Sequence, residues 1–382
     1  TNFTNSLLVG TDSTGTLNGA TGNTGVGTGV FAALTSGTEN VAVGATALCA
    51  NTTGGNNTAV GTCALKVNTT GARNTGLGHR ALDANTDGNC NTAVGMTSLS
   101  ANIGGNQNTA VGVSALALNT TASSNTAVGF EAMCKNTTGS NLTAVGAFAL
   151  DANTTGASNT AISGGALTKN TTGDFNVAVG TNSLCTNITS DANTAVGHFA
   201  LKLNTAANNT AVGFCALNAN TTGSYNTAIG YSSMYEGTTT GSLNTMVGAS
   251  SGRKMTSGEQ NSGLGINALE GNTTGSRNTG IGASSFSTNS TGSDNTAVGH
   301  AALGANTTAS CNTAVGRASL QTNTTGANNV AVGFQSLNSN VSGDQNTAVG
   351  FQSLKLNTAG GNTALGYLAL CCNTSGTANV AI

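Results

Sequence analysis

Hydrophobic and polar residues alternate along this chain in a pattern that repeats at a fixed interval of about 17 residues. The stretch 57–73 reads N-T-A-V-G-T-C-A-L-K-V-N-T-T-G-A-R, and close variants of it lie on both sides. Its first asparagine defines position 1 of the repeat. The same position recurs at Asn23, Asn40, Asn74, Asn91, Asn108 and Asn125. A constant spacing of this kind is typical of a tandem-repeat protein.

Two positions of the repeat are large and apolar. Position 4 is Val, Ile or Leu in nearly every unit, as at Val60 and Val94, and position 9 is Leu or Met, as at Leu65 and Leu99. We therefore expect positions 4 and 9 to form the core. Positions 3 and 8 are almost always Ala, Gly or Ser, so backbone segments can approach closely and the interior is expected to be thin.

Glycine and asparagine mark the corners of each unit. Position 5 is almost always Gly, which permits bends that other residues adopt only at a cost. Positions 12 to 15 read N-T-T-G, a turn sequence in which Asn tolerates left-handed φ and can bond the nearby backbone. Between the corners lie N-T-A-V and x-A-L-x, two runs that are too short for helices.

Short strands between corners at a constant period predict an all-β fold, a parallel β-solenoid or β-roll with about 17 residues per coil. We expect one repeat domain over residues 1–382, in which roughly 22 coils about 4.8 Å apart give a rod on the order of 105 Å. The unit shortens by one residue before Asn209 and Asn362 and lengthens by one before Asn244.

A single coil cannot be stable alone. Burying one Val and one Leu contributes roughly 3 to 6 kcal/mol, whereas fixing the backbone costs about 1 kcal/mol or more for each residue. Stability must come from stacking on neighbouring coils. Association of the chain with itself, as a trimer or as a head-to-tail filament, is expected to add to it.

Composition excludes several classes of protein. Charged residues are only 6% of the chain, but hydrophobic residues are 37% and fall at fixed positions, which favours order over disorder. A net charge of −2 argues against binding of nucleic acid. No apolar stretch approaches the roughly 18 residues of a membrane span.

No catalytic, cofactor-binding or metal site emerges, and we predict that the chain is not an enzyme. The histidines His79, His198 and His300 all fall at position 6, several coils apart, without a partner for acid–base chemistry. Nine cysteines occupy variable positions without a C-x-x-C motif. Position 6 is rich in aromatic residues and is a candidate interface column: Phe130, Phe214, Tyr231, Phe334, Phe351 and Tyr367.

Several N-T-T corners match the acceptor sequence for N-linked glycans. Two interpretations stay open: a row of glycans along one edge, or a corner that stacks for structural reasons alone. The candidate acceptors are Asn51, Asn68, Asn136, Asn153, Asn170, Asn220, Asn272, Asn306 and Asn323.

The motif N-T-A-V-G-x-x-A-L, as at 91–99 and 295–303, resembles the head repeats of trimeric autotransporter adhesins. With N-T-T-G after it, the unit resembles even more closely the arrays in tail-fibre-like proteins of bacteriophages, bacteria and algal viruses. The resemblance covers the whole chain. It implies a parallel β-roll, often trimeric, that serves as a shaft or a host-binding head.

These observations predict a structural fibre or adhesin shaft, a rod or filament on the outside of a cell or on a virion. Expected partners are copies of the chain itself and a host-surface receptor or glycan. The alternatives are an ice-binding solenoid, because regular threonine columns can order water, and a glycan-binding solenoid. Against ice binding, no T-x-T array lies along one strand.

Overall fold

The computed structural model describes residues 5–10 and 14–382, and the regular secondary structure in these residues consists of short β-strands alone. The chain divides into two compact units, Thr1–Ala192 and Asn193–Ile382. Each unit is a parallel β-solenoid with one strand per coil, which confirms the predicted fold class. That residues 1–382 form a single repeat domain stays a prediction.

The strands are three residues long, except for the last, which has two. In the first unit they are β1 (Leu7–Val9), β2 (Thr24–Val26), β3 (Val41–Val43), β4 (Thr58–Val60), β5 (Thr75–Leu77), β6 (Thr92–Val94), β7 (Thr109–Val111), β8 (Thr126–Val128), β9 (Thr143–Val145), β10 (Thr160–Ile162) and β11 (Val177–Val179). In the second they are β12 (Thr194–Val196), β13 (Thr210–Val212), β14 (Thr227–Ile229), β15 (Thr245–Val247), β16 (Ser262–Leu264), β17 (Thr279–Ile281), β18 (Thr296–Val298), β19 (Thr313–Val315), β20 (Val330–Val332), β21 (Thr347–Val349), β22 (Thr363–Leu365) and β23 (Val380–Ala381).

Each strand occupies positions 2 to 4, where β-branched residues favour extended backbone. Within a unit, a strand pairs in parallel with the equivalent strand of the next coil, so that identical positions face each other, as in Thr109 with Thr126. The register survives the irregular coils, since Thr194 pairs with Thr210 across a shortened coil and Thr227 pairs with Thr245 across a lengthened one. Insertions and deletions are thus absorbed outside the strands.

The interior contains position 3 rather than position 4. Successive side chains of a strand point to opposite faces, and Ala59 is fully buried whereas Val60 is 39% exposed. Leu65, at position 9, is also fully buried, as predicted. The expectation that position 4 belongs to the core was therefore wrong. The reason is steric: Leu at position 9 and two asparagines fill the coil, which leaves room only for a small side chain at position 3.

Two columns of buried asparagines, at positions 1 and 12, hydrogen-bond the coils together. Within one coil, the side-chain amides of Asn91 and Asn102 both donate to the carbonyl oxygen of Gly105, at 2.8 and 3.0 Å. Between coils, Asn91 Oδ1 accepts the backbone N–H of Asn108 at 3.0 Å, and Asn102 Nδ2 donates to Asn85 Oδ1 at 2.8 Å. The interior is therefore partly polar, and its amides are bonded both across and along the stack.

The bend predicted at the position-5 glycine is confirmed. Gly112 has a φ of +138°, and a Cβ added there would clash with the carbonyl group of Gly129 in the next coil. This glycine is required both for its backbone conformation and for the close approach of the coils.

The rest of the coil differs from the expected second strand. The x-A-L-x run is a turn, because positions 7 and 9 both have left-handed φ, for example +55° at Ser114 and +53° at Leu116. A leucine rarely adopts this conformation. Here its N–H donates to the carbonyl of Ala132 at 2.9 Å and its side chain is fully buried. The N-T-T-G asparagines themselves have ordinary φ and stabilise the corner through both side chain and backbone, as Asn102 does by donating to the carbonyls of Gly105 and Leu99.

One coil lacks the position-5 glycine. Ser163 stands there with a φ of +103°, a region that costs a non-glycine residue on the order of 1 to 3 kcal/mol. We expect Ser163→Gly to raise the free energy of unfolding by about 1 kcal/mol, because relief of strain exceeds the entropy that glycine adds to the unfolded chain. Thermal unfolding followed by circular dichroism tests this. An unchanged or lower midpoint would show that the coil does not strain Ser163.

In the coil that starts at Asn244, the large core side chain lies at position 3 and the small residue at position 9, the reverse of the usual arrangement. Met246 takes position 3 in place of Ala, and Gly252 takes position 9 in place of Leu. A Cβ on Gly252 would lie 2.9 Å from Met246 Cγ, so the methionine side chain fills the space that leucine occupies elsewhere. Arg253 links this coil to both neighbours, with Nη1 3.3 Å from Glu236 Oε1 and Nη2 2.9 Å from Glu270 Oε1.

Candidate functional site

One regular surface of each unit is the face made by positions 2 and 4, which we call the threonine–valine face. In the first unit, position 2 is threonine in seven consecutive coils: Thr58, Thr75, Thr92, Thr109, Thr126, Thr143 and Thr160. The residue two places on from each is Val, Ile or Leu. Alternation along the strand turns both columns outward, and in-register pairing keeps them parallel.

The valine column is exposed although it is strongly apolar. Val60, Val111, Val145 and Ile162 are between 37 and 39% exposed, and Leu264 in the second unit reaches 52%. Monomeric proteins seldom expose long contiguous apolar surfaces without a functional reason. The column is therefore a second candidate for a functional surface, beside the position-6 column that the sequence indicated.

The threonine columns at positions 2 and 13 differ in what their hydroxyls do. At position 13, Thr120 donates to the carbonyl of Thr137 at 3.1 Å, and Thr137 donates to that of Thr154 at 2.9 Å. At position 2, the hydroxyls of Thr109 and Thr126 have no hydrogen-bond partner among the described residues. Of these two columns, only the position-2 hydroxyls are left to solvent, each with one donor and two acceptor sites.

Two free-energy terms decide which kind of surface can cover the threonine–valine face. Burying the exposed part of one valine gains roughly 1 kcal/mol, since full burial is worth about 1.5 to 3 kcal/mol. Burying the neighbouring hydroxyl without a partner costs about 1 to 3 kcal/mol. Against an apolar partner surface, the gain from the valine and the cost of the hydroxyl therefore cancel, or their sum is unfavourable. A stable occupant must hydrogen-bond to the threonines in every coil.

The candidate interface column at position 6 forms two stacked ladders in the second unit. Phe214 and Tyr231 have ring centroids 5.5 Å apart, and Phe351 lies 5.3 Å from both Phe334 and Tyr367. Phe130, in the first unit, instead makes an edge contact with Phe148 at 5.4 Å. His198 belongs to the same column and packs on Phe199 and Phe214. That the column is an interface stays a prediction.

The candidate glycosylation corners are buried. All nine asparagines are fully buried, and Asn68 Nδ2, for example, donates to Asn51 Oδ1 and to the carbonyl of Gly71, both at 2.9 Å. A glycan on these nitrogen atoms is incompatible with the coil as folded. Among the further sequons of the chain, those at Asn56, Asn141 and Asn208 place the asparagine at the exposed position 17. On the folded chain, those three asparagines are accessible.

Charged side chains occupy other positions of the coil. Arg277 and Asp294, both at position 17, form a two-point ion pair with Nε–Oδ1 and Nη2–Oδ2 distances of 2.6 and 2.8 Å, which lowers the pKa of Asp294. Arg80 Nε lies 2.7 Å from Asp83 Oδ2. Arg277, Asp294 and Arg80 are exposed and Asp83 is half-buried, so we expect both pairs to contribute little to stability.

None of the nine cysteines is in a disulfide. The Cys134 thiol is partly buried and lies 3.1 Å from Asp151 Oδ1. Burial and, after it, the hydrogen bond to this carboxylate raise the pKa of Cys134 to about 12. Cys90 and Cys311 are exposed.

We expect iodoacetamide at about pH 8 to alkylate Cys90 and Cys311 well before Cys134, because the reactive thiolate is scarce at a pH far below the pKa of Cys134. Peptide mass spectrometry of folded protein after short exposure measures this. Denatured protein is the control, and there the three should react alike. Equal alkylation rates of the three cysteines in the folded chain would contradict a Cys134 thiol that is partly buried and hydrogen-bonded to Asp151.

Within the described residues, no three side chains of His, Cys, Asp or Glu come together in a way that could hold a metal ion. That part of the chain also contains no helix long and apolar enough to cross a membrane. Neither a model of a known protein family nor a curated protein sequence matches this chain.

Proposed function

We propose that this chain is a structural element, the shaft of a fibre or adhesin on the outside of a cell or virion. The observation that carries the proposal is the bonding of successive coils. Within a unit, nearly every coil contributes the same backbone and asparagine hydrogen bonds to the next, so length can be gained or lost in whole coils without a new kind of contact. Copies of the chain and a surface receptor or glycan are the proposed partners.

Deletion of one whole coil tests this function. Removing residues 108–124 joins two equivalent positions of the repeat, so the remaining coils should stack as before. We expect thin elongated particles in electron micrographs of the unaltered chain and slightly shorter ones, with a nearly unchanged unfolding midpoint, for the deletion. Deleting 108–116, about half a coil, is the control and should disrupt the fold. Compact globules, or collapse of the whole-coil deletion, would refute the structural role.

A further inference from the structure

We infer that the threonine–valine face orders water and binds the surface of ice crystals, a function that goes beyond the proposed structural role. The sequence alone argued against this, because the repeat has no T-x-T run. In the structure, however, the position-4 side chains point outward. The T-x-V strands therefore form a surface of two parallel columns, one of threonine and one of valine.

The first support is the hydrogen-bonding capacity of the face. The hydroxyls at position 2 have no partner among the described residues, whereas those at position 13 donate to backbone carbonyls. Each of the five coils with Thr92, Thr109, Thr126, Thr143 and Thr160 therefore presents one free hydroxyl and one β-branched apolar side chain. The hydroxyl can anchor a water molecule, and the methyl groups beside it force neighbouring waters to bond to one another.

The second support is regularity. Within a strand, positions 2 and 4 are about 6.6 Å apart, and equivalent residues of successive coils are about 4.8 Å apart. Both spacings are of the same size as the repeat distances between oxygen atoms on the faces of ice. In-register pairing such as Thr109 with Thr126 and Val111 with Val128 maintains the array from coil to coil. A face of this kind can hold water molecules at many regularly spaced points, which a single hydroxyl could not do.

The third support is the absence of charge from the face. Every described residue at position 2 is Thr, Ser, Val or Leu, and position 4 is Val, Ile or Leu. Charged groups hold their own hydration shells and disturb an ice-like layer. In this chain they lie at other positions, as Arg80, Asp83 and Arg277 do.

A second copy of the chain is the competing occupant. It would cover the exposed valines, but it must also pair the free hydroxyls of the threonine run, which requires the two faces to align coil by coil. Water satisfies the same hydroxyls in any alignment. The free position-2 hydroxyls therefore favour ordered water over a protein partner.

Thermal hysteresis of the purified full chain tests the inference. We expect measurable hysteresis and faceted ice crystals for the unaltered protein. The triple variant Thr92→Lys, Thr109→Lys and Thr126→Lys should lose this activity, because charged side chains interrupt the longest threonine run. The matched control, Thr121→Lys, Thr138→Lys and Thr155→Lys, places the same charges on exposed position-14 threonines of the same unit and should keep it.

Unfolding midpoints of all variants should be similar. If the lysine variant fails to fold, Thr92→Val, Thr109→Val and Thr126→Val removes the hydroxyls without added bulk and should weaken hysteresis. No hysteresis in the unaltered chain overturns the inference. So does equal loss in the position-14 control. Dimers in light scattering that disperse on the position-2 lysine substitutions, without hysteresis, would assign the face to a second copy. None of these results bears on the coil deletion, so the structural role is tested separately.

Discussion

Replacing Asn91 by alanine is expected to lower the free energy of unfolding by about 3 kcal/mol, an effect of the size seen when buried polar groups lose their partners. Asn91 Oδ1 accepts the backbone N–H of Asn108 at 3.0 Å, and Asn91 Nδ2 donates to the carbonyl of Gly105 at 2.8 Å. Alanine removes both bonds and leaves the N–H of Asn108 buried without its acceptor. Urea unfolding followed by circular dichroism measures the change.

One coil already has leucine in place of the position-1 asparagine, and it provides a comparison for the column of hydrogen-bonded asparagines. Leu142 occupies position 1 of one coil, is 1% exposed, and still donates its backbone N–H to Asn125 Oδ1 at 3.0 Å. Asn91→Leu should therefore cost less than Asn91→Ala, because leucine fills the space that alanine leaves empty. If alanine or leucine at position 91 left the free energy of unfolding unchanged, the column of asparagine amides would not stabilise the stack.

The second large effect is a difference between positions 9 and 4 in the stability lost on substitution by alanine. We expect Leu116→Ala to lower the free energy of unfolding by about 3 kcal/mol, since it opens a cavity at a fully buried side chain. Val111→Ala, in the same coil, should lower it by less than about 1 kcal/mol, because Val111 is 37% exposed. Both are measured by the same urea titration. Equal costs, or a larger cost at Val111, would mean that the valine column is buried.

The period, the number of coils and the strand at N-T-A-V could all be predicted from the sequence. Each depends on local chemistry that repeats: glycine at position 5, a β-branched residue at position 4, and asparagine in the corner. The positions of the one-residue insertion and deletions could be predicted too, since pairings such as Thr194 with Thr210 keep the register.

The assignment of inside and outside could not be predicted by hydrophobicity alone. Valine is more apolar than alanine, yet Ala110 is fully buried and Val111 is not. What decides is volume, since Leu116 and two asparagines already occupy the coil interior. A signal did exist in the sequence: position 3 is almost always small, and where the large Met246 takes it, leucine is replaced by Gly252 at position 9.

The left-handed leucines were also beyond prediction. No local preference favours a φ of +53° at Leu116. It is imposed by the stack, through the bond of its N–H to Ala132 and the burial of its side chain. The same holds for the candidate site: only the stacking of the coils determines that the position-13 hydroxyls donate to the next coil while those at position 2 stay without a partner among the described residues.

A density map of the chain, from crystallography or electron cryomicroscopy, shows directly which side chains fill the coil. We expect parallel strands about 4.8 Å apart, one per repeat of the sequence, with Ala110 and Leu116 pointing inward and Thr109 and Val111 pointing to solvent. A map with Val111 in the interior, or with coils whose advance is unrelated to the period of the sequence, would contradict this expectation.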